Sequence, residues 1–117
     1  MAYETKEEIL NNIKDDIISA RFLKRNTYEI LYKNGNRAIR YHHTDIVTFK
    51  NNGDIVLNTN GWETSSTRER INEYSPFYII QKDYIWYVFK NISEINYEPK
   101  APNFNGIKYY DGIILKG

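Results

Sequence analysis

Three closely spaced turn signals constrain this chain more than anything else in it. Asn34-Gly35-Asn36 separates residues 27–33 from 37–42, and Asn51-Asn52-Gly53 separates 45–50 from 54–59. Lys82-Asp83 separates 77–81 from 84–89. Asn-Gly and related pairs accept the positive φ of tight turns, and the flanking runs alternate with the period of a strand. Connections of two or three residues can join only antiparallel strands. In the second hairpin Val47 and Phe49 share one face, expected to be buried, while Ile46, Thr48 and Lys50 share the other. Residues 91–106 read as a long loop. Residues 108–116, interrupted at Asp111-Gly112, read as a last strand returning to the sheet.

Two helices are predicted beside the sheet. Thr5-Lys6-Glu7-Glu8 fits a capping box, and Ile9, Ile13 and Ile17 recur every fourth position, joined by Leu10 and Ala20. This predicts an amphipathic helix over 5–21 whose stripe packs on the sheet or docks on a partner. Ser66-Thr67-Arg68-Glu69 repeats the capping pattern. It predicts a short helix from about Thr67 to Tyr74, stopped by Ser75-Pro76, with Ile71 and Tyr74 facing the core. The expected fold class is α+β: one domain over 1–117, with a mostly antiparallel sheet of six or seven strands (27–116), an N-terminal helix and a short central helix.

The totals exclude several function classes. A net charge of +1 gives no bulk electrostatic attraction to nucleic acid or membrane. Without cysteine there is no disulfide, thiolate metal site or cysteine nucleophile. No apolar run approaches the roughly 20 residues that span a bilayer, and the N-terminus does not resemble a signal peptide, so a cytoplasmic location is expected. Tyrosine occurs 11 times. With Asn, Ile and Lys also abundant, this fits an AT-rich genome as well as a Tyr-rich recognition surface.

The central block resembles a group of small proteins encoded by tailed phages and prophages. The resemblance rests on His42-His43-Thr44-Asp45-Ile46-Val47, on Gly53-Asp54 and on Leu57-Asn58-Thr59-Asn60-Gly61-Trp62. It continues through Thr64-Ser65-Ser66-Thr67-Arg68-Glu69-Arg70-Ile71-Asn72, Ile85-Trp86-Tyr87-Val88 and Tyr110-Asp111-Gly112-Ile113, and so covers roughly 41–115. Asn60 stands where glycine is common in the group, and Arg68 where lysine is common. The resemblance implies a phage-like origin. Small phage accessory proteins of this size often bind and block a host defence component.

The residues themselves offer several candidate sites. Thr64, Ser65, Ser66 and Thr67 precede Arg68 and Arg70 at a helix start, where unpaired N–H groups and the helix dipole favour an anion. The same hydroxyls could simply cap the helix, with Arg70 paired to Glu73 or Asp54 and Asn72 bonded to a loop carbonyl. His42 and His43, adjacent at a strand end, are expected to point to opposite faces, one in and one out, and cannot readily share one metal. A single histidine acting as acid or base lacks a nameable nucleophile. Trp62, Phe77, Tyr84, Trp86 and Phe89 fit a sheet core. Tyr41, Tyr78, Tyr87, Tyr109 and Tyr110 with Arg37, Arg40 and Lys50 could form a stacking face for single-stranded nucleic acid. No P-loop, RNA-recognition signature or cofactor motif is present.

The expectation is a non-enzymatic phage or prophage accessory protein that inhibits a bacterial defence system, in the manner of an anti-CRISPR. Its expected surface joins Trp62, Thr64, Ser65, Ser66, Thr67, Arg68, Arg70 and Asn72 to Tyr41, His42 and His43. The partner would be a defence protein or its nucleic-acid or nucleotide ligand, with neither cofactor nor membrane, and a strand edge or the Ile stripe could support a homodimer. The alternatives are a nucleic-acid-binding accessory protein and, less favoured, a small enzyme acting on a phosphorylated substrate through His42 or His43.

Overall fold

The hairpins form where turn chemistry demands them. The computed structural model describes Lys6, Ile9, residues 16–90 and residues 104–116. In those residues run β1 (Ile17–Lys24), β2 (Thr27–Tyr32), β3 (Arg37–Tyr41), β4 (Thr44–Phe49) and β5 (Asp54–Leu57). Then come α1 (Ser65–Tyr74), β6 (Tyr78–Lys82), β7 (Ile85–Phe89), β8 (Ile107–Lys108) and β9 (Ile113–Lys116). Gly35 and Gly53 take φ of +92° and +94° at the first two tips. Those tips also bond each other: Asn51 Nδ2 donates to Asn34 O at 2.7 Å and Asn51 N to Asn36 Oδ1 at 2.9 Å. The third hairpin turns one residue later than expected, on Asp83 and Tyr84, both at positive φ. Tyr84 is therefore 93% exposed at the tip and not in the core.

All strand pairings are antiparallel, in two sheets: β1-β2-β3-β4-β5-β9 and β6-β7-β8. The interruption at Asp111-Gly112 is where the chain leaves the smaller sheet for the larger one. One face of the larger sheet carries Ile39, Val47, Leu57 and Ile113, packed with Ile71 of α1 and Ile79, Trp86 and Val88 of the smaller sheet. Ala38 lies next to Ile39 and so faces the opposite way. There it is buried with Ile9, Ile17, Ala20 and Ile30.

The fold-class expectation is overturned: the described residues form a mostly antiparallel β structure with one short helix. The last part of the expected N-terminal helix over 5–21 is strand β1. Apart from Lys6, Ile9 and Asp16, the earlier part lies outside the described residues. The cause of the misreading is a register shift between Ile17 and Ser19. It puts the buried positions of β1 at Ile17 and Ala20, three apart, which imitates a helical period inside a strand. A second shift affects β4: Ile39 pairs with Val47 but Arg40 with Asp45, leaving Ile46 as the extra residue. Ile46 and Val47 are consequently both buried, against the expected alternation. The loop expected over 91–106 falls almost wholly outside the described residues.

Candidate functional site

β3 ends at Tyr41 and β4 begins at Thr44, so His42-His43 is a two-residue hairpin connection and not part of a strand. His42 sits at φ 55°, and its backbone N donates to Asn26 O at 2.9 Å. Strand alternation does not apply here, and both residues border the same cleft. Opposite them the chain leaving β5 passes through Thr59, Asn60, Gly61 and Trp62 into α1. The space between is about 470 Å3, lined by Tyr41, His42, His43, Thr44, Ile46, Thr59, Asn60, Trp62, Thr64, Ser66 and Thr67. No carboxylate is among these residues. Trp62, placed in the core by the sequence, is 64% exposed.

Asp111 fixes the loop that carries Trp62. Its Oδ1 accepts Thr59 N at 2.9 Å and Tyr109 Oη at 2.5 Å, its Oδ2 accepts Gly61 N at 2.9 Å, and Thr59 Oγ1 donates between the two oxygens, 2.8 Å from Oδ1 and 3.0 Å from Oδ2. Gly61 (φ +83°) and Asn60 (φ 54°) take the left-handed conformations that the turn requires, which is why asparagine serves at position 60. Partial burial pushes the Asp111 carboxyl up, but the bonds from Tyr109, Gly61 and Thr59 outweigh it and hold it below the usual carboxylate range. Burial, and then the neighbouring Asp111 charge, push the Tyr109 phenol far up. Two strings that looked unrelated in the sequence, 57–62 and 110–113, are thus one device.

The helix begins earlier than expected. Its N-cap is Thr64, whose Oγ1 accepts Thr67 N at 3.2 Å, and Ser66 is already in the first turn. Thr64 Oγ1 also contacts Ser66 Oγ at 3.2 Å and Thr67 Oγ1 at 2.9 Å. Tyr41 Oη, from β3, donates to Ser66 Oγ at 3.0 Å. Sheet and helix therefore share one chain of hydroxyls at the cleft wall.

Of the eleven residues singled out in the sequence, seven border this cleft: Tyr41, His42, His43, Trp62, Thr64, Ser66 and Thr67. The other four do not. Ser65 and Arg68 lie on another side of the helix near Gln81, Asp83 and Tyr84, where Arg68 Nη1 donates to Gln81 Oε1 at 2.9 Å. Arg70 is used internally, not by Glu73 or Asp54. It donates to the buried Thr27 Oγ1 at 2.7 Å, to Ser66 O and to Arg25 O, and stacks 4.0 Å from the Tyr41 ring centre. Asn72 docks α1 on β6, accepting Ile79 N at 2.6 Å and donating to Ile79 O at 3.0 Å. Burial, the Arg70 charge behind Tyr41 and the charge of His43 lower the His42 pKa, so its neutral form is favoured.

Sequence reasoning missed Thr44, Ile46, Thr59 and Asn60 as lining residues. The Asp-Gly at 111–112 was the available signal for the anchored loop. Two members of the expected nucleic-acid face are not available to stack or pair: Tyr109 is buried, and Arg40, 5% exposed, donates to Asp45 Oδ1 at 2.7 Å and to Tyr32 Oη at 2.9 Å. Burial and the Asp45 bond push the Tyr32 phenol up to about 12. Among the described residues no cluster of three metal-ligating side chains occurs, and no helix is long and apolar enough to cross a membrane.

Fold and site together define a small antiparallel β protein with an aromatic cleft walled by hydroxyls. The chain belongs to the Kyanoviridae Gp96 protein family, whose model matches residues 2–116, and is accordingly a phage protein. No curated protein and no solved structure matches it.

Proposed function

We propose that this phage protein is a non-enzymatic binding protein that inhibits a bacterial defence system in the host cytoplasm, in the manner of an anti-CRISPR. It captures a defence component, or that component's nucleic-acid or nucleotide ligand, in the cleft between the β3–β4 turn and the start of α1. The observation that carries this reading is Trp62. A tryptophan left mostly in solvent, on a loop anchored by a carboxylate, forfeits burial worth roughly 2 kcal/mol or more. Exposed tryptophan beside a concave site is the pattern of a binding anchor. A lining without carboxylates, with the Arg70 guanidinium behind it, favours a target that is neutral or anionic there. The binder reading is favoured over the enzyme because Thr64, Ser66 and Thr67 bond to one another and to Tyr41, and none of them bonds to an imidazole that could activate it.

The test is Trp62→Ala, checked for folding by near-ultraviolet circular dichroism. The variant should lose capture of the target from a phage-restricted host and lose protection of phage plating on that host. A folded Trp62→Ala protein that retains both would reject the cleft. Arg70→Glu is unsuited to this purpose, because Arg70 holds α1 to the β1–β2 turn.

A further inference from the structure

The hydroxyl chain on the cleft wall has one proton more than it can use. Tyr41, Ser66, Thr64 and Thr67 carry one hydroxyl proton each, and three contacts link them: Tyr41 to Ser66, Ser66 to Thr64, and Thr64 to Thr67. Tyr41 donates to Ser66. The surplus proton then rests on Thr67, Thr64 or Ser66. On Thr67, which is 3% exposed, it would be a buried O–H without an acceptor, an unfavourable arrangement. On Thr64 it would require Oγ1 to accept from Ser66, from Thr67 Oγ1 and from Thr67 N together, more than two lone pairs allow. The remaining order runs Thr67 to Thr64 to Ser66. Ser66 Oγ then accepts from Thr64 and from Tyr41, and its own proton points away from both. Successive donation along such a chain strengthens the last donor. Ser66 is half-buried and borders the cleft.

We infer that Ser66 is the directed hydrogen-bond donor of the cleft, and that it meets the acceptor edge of a nucleobase, carried by a small nucleotide, stacked against Trp62. The inference rests on the reading of the cleft as the binding site and names its ligand class. The ligand must offer a flat apolar face to Trp62 and a hydrogen-bond acceptor to Ser66. Every nucleobase combines a π-face with acceptor atoms on its edge in one rigid plane, so a single group can meet both requirements at once. The volume of about 470 Å3 falls among small-molecule sites of roughly 300–1,000 Å3. A lining without carboxylates does not repel an attached phosphate, and Arg70, stacked behind Tyr41, attracts one.

Fluorescence provides the test, because the two tryptophans differ. Trp62 is exposed on the cleft, while Trp86 is buried and bonded to Gln81. The full chain is titrated with the four nucleoside 5′-monophosphates and with the four nucleosides. At least one base should quench Trp62 saturably in both forms, and Trp62→Phe should abolish the signal. Ser66→Ala should weaken that binding about tenfold, the loss of one directed bond. Ser65→Ala, one residue away and facing Arg68, should leave it within about twofold. Lack of saturable quenching by any of the eight compounds overturns the proposal. So does quenching by nucleotides alone, or quenching that Ser66→Ala leaves intact. If the nucleotides fail while Trp62→Ala still abolishes capture, the base assignment falls and the cleft stands as a site for another partner. If Trp62→Ala retains capture, the cleft itself is rejected.

Discussion

Two polar networks hold the two ends of one loop, and they differ in how their protons are accounted for. At the β5 end, Asp111 takes two backbone N–H groups and two hydroxyl protons onto its two oxygens, within the capacity of a carboxylate. That network is closed. At the α1 end, four hydroxyls share three contacts and one proton is left over. That network is open toward the cleft. A closed network fixes a backbone; an open one fixes a backbone and still presents a donor. Both are built from Asp, Thr, Ser and Tyr, so composition alone does not tell them apart.

The largest expected effect tests closure. Asp111→Ala leaves the N–H groups of Thr59 and Gly61 and the hydroxyls of Thr59 and Tyr109 without their acceptor, and should cost about 3 kcal/mol in urea unfolding. A loss of only a few tenths would show that solvent replaces the carboxylate and that the network is not closed. Acid provides a second measure. The folded carboxyl titrates below its unfolded value, so its contribution is present above about pH 4 and is lost as pH falls through the folded pKa. The stability gap between wild type and Asp111→Asn should therefore narrow below about pH 4. A gap that stays constant down to pH 2 would contradict that assignment.

The same comparison explains what could be read from the chain. The tips of the first two hairpins were legible, because turn chemistry is local. Asn34-Gly35 and Asn51-Asn52-Gly53 sit at tips as expected. Strand β1 was not legible, since a register shift spaces Ile17 and Ala20 like a helix, and only pairing with β2 reveals it. At the cleft, residue types pointed to the β3–β4 turn and the helix start together. Whether each member faces the cleft was not legible. Arg70 and Asn72 have partners on β2 and β6 that are distant in the chain, and Arg68 lies two residues from Arg70, which on a helix turns it to another side. The partnership of Asp111 with residues 59–61 spans about fifty positions, a pairing that no periodicity announces.

A smaller effect sharpens the contrast inside the open network. Thr64→Ala removes the N-cap and should cost about 1 kcal/mol. Ser66→Ala removes only the end of the chain, whose acceptor role toward Tyr41 water can assume at a half-exposed position, and should cost about 0.5 kcal/mol or less. Equal losses of 2 kcal/mol or more at both positions would mean that this network is as closed as that of Asp111, and the surplus proton would have to be placed elsewhere.

The smallest expected effect concerns His42, on the opposite wall. Burial, the Arg70 charge and the charge of His43 favour its neutral form in the folded protein, while the unfolded chain takes up a proton near pH 6.5. Above that pH both states are neutral and stability is full. As pH falls below it the unfolded state binds protons first, so stability declines until the folded imidazole also titrates. The urea midpoint should therefore drop between pH 7.5 and 5.5. His42→Asn, which tolerates the left-handed backbone at φ 55°, should remove most of that slope. His43→Asn relieves only one of the lesser charges and should keep most of it. If His42→Asn leaves the slope unchanged, the positive field behind Tyr41 does not reach the cleft wall. An anionic ligand would then gain nothing from Arg70, while the proton count at Ser66 would be untouched.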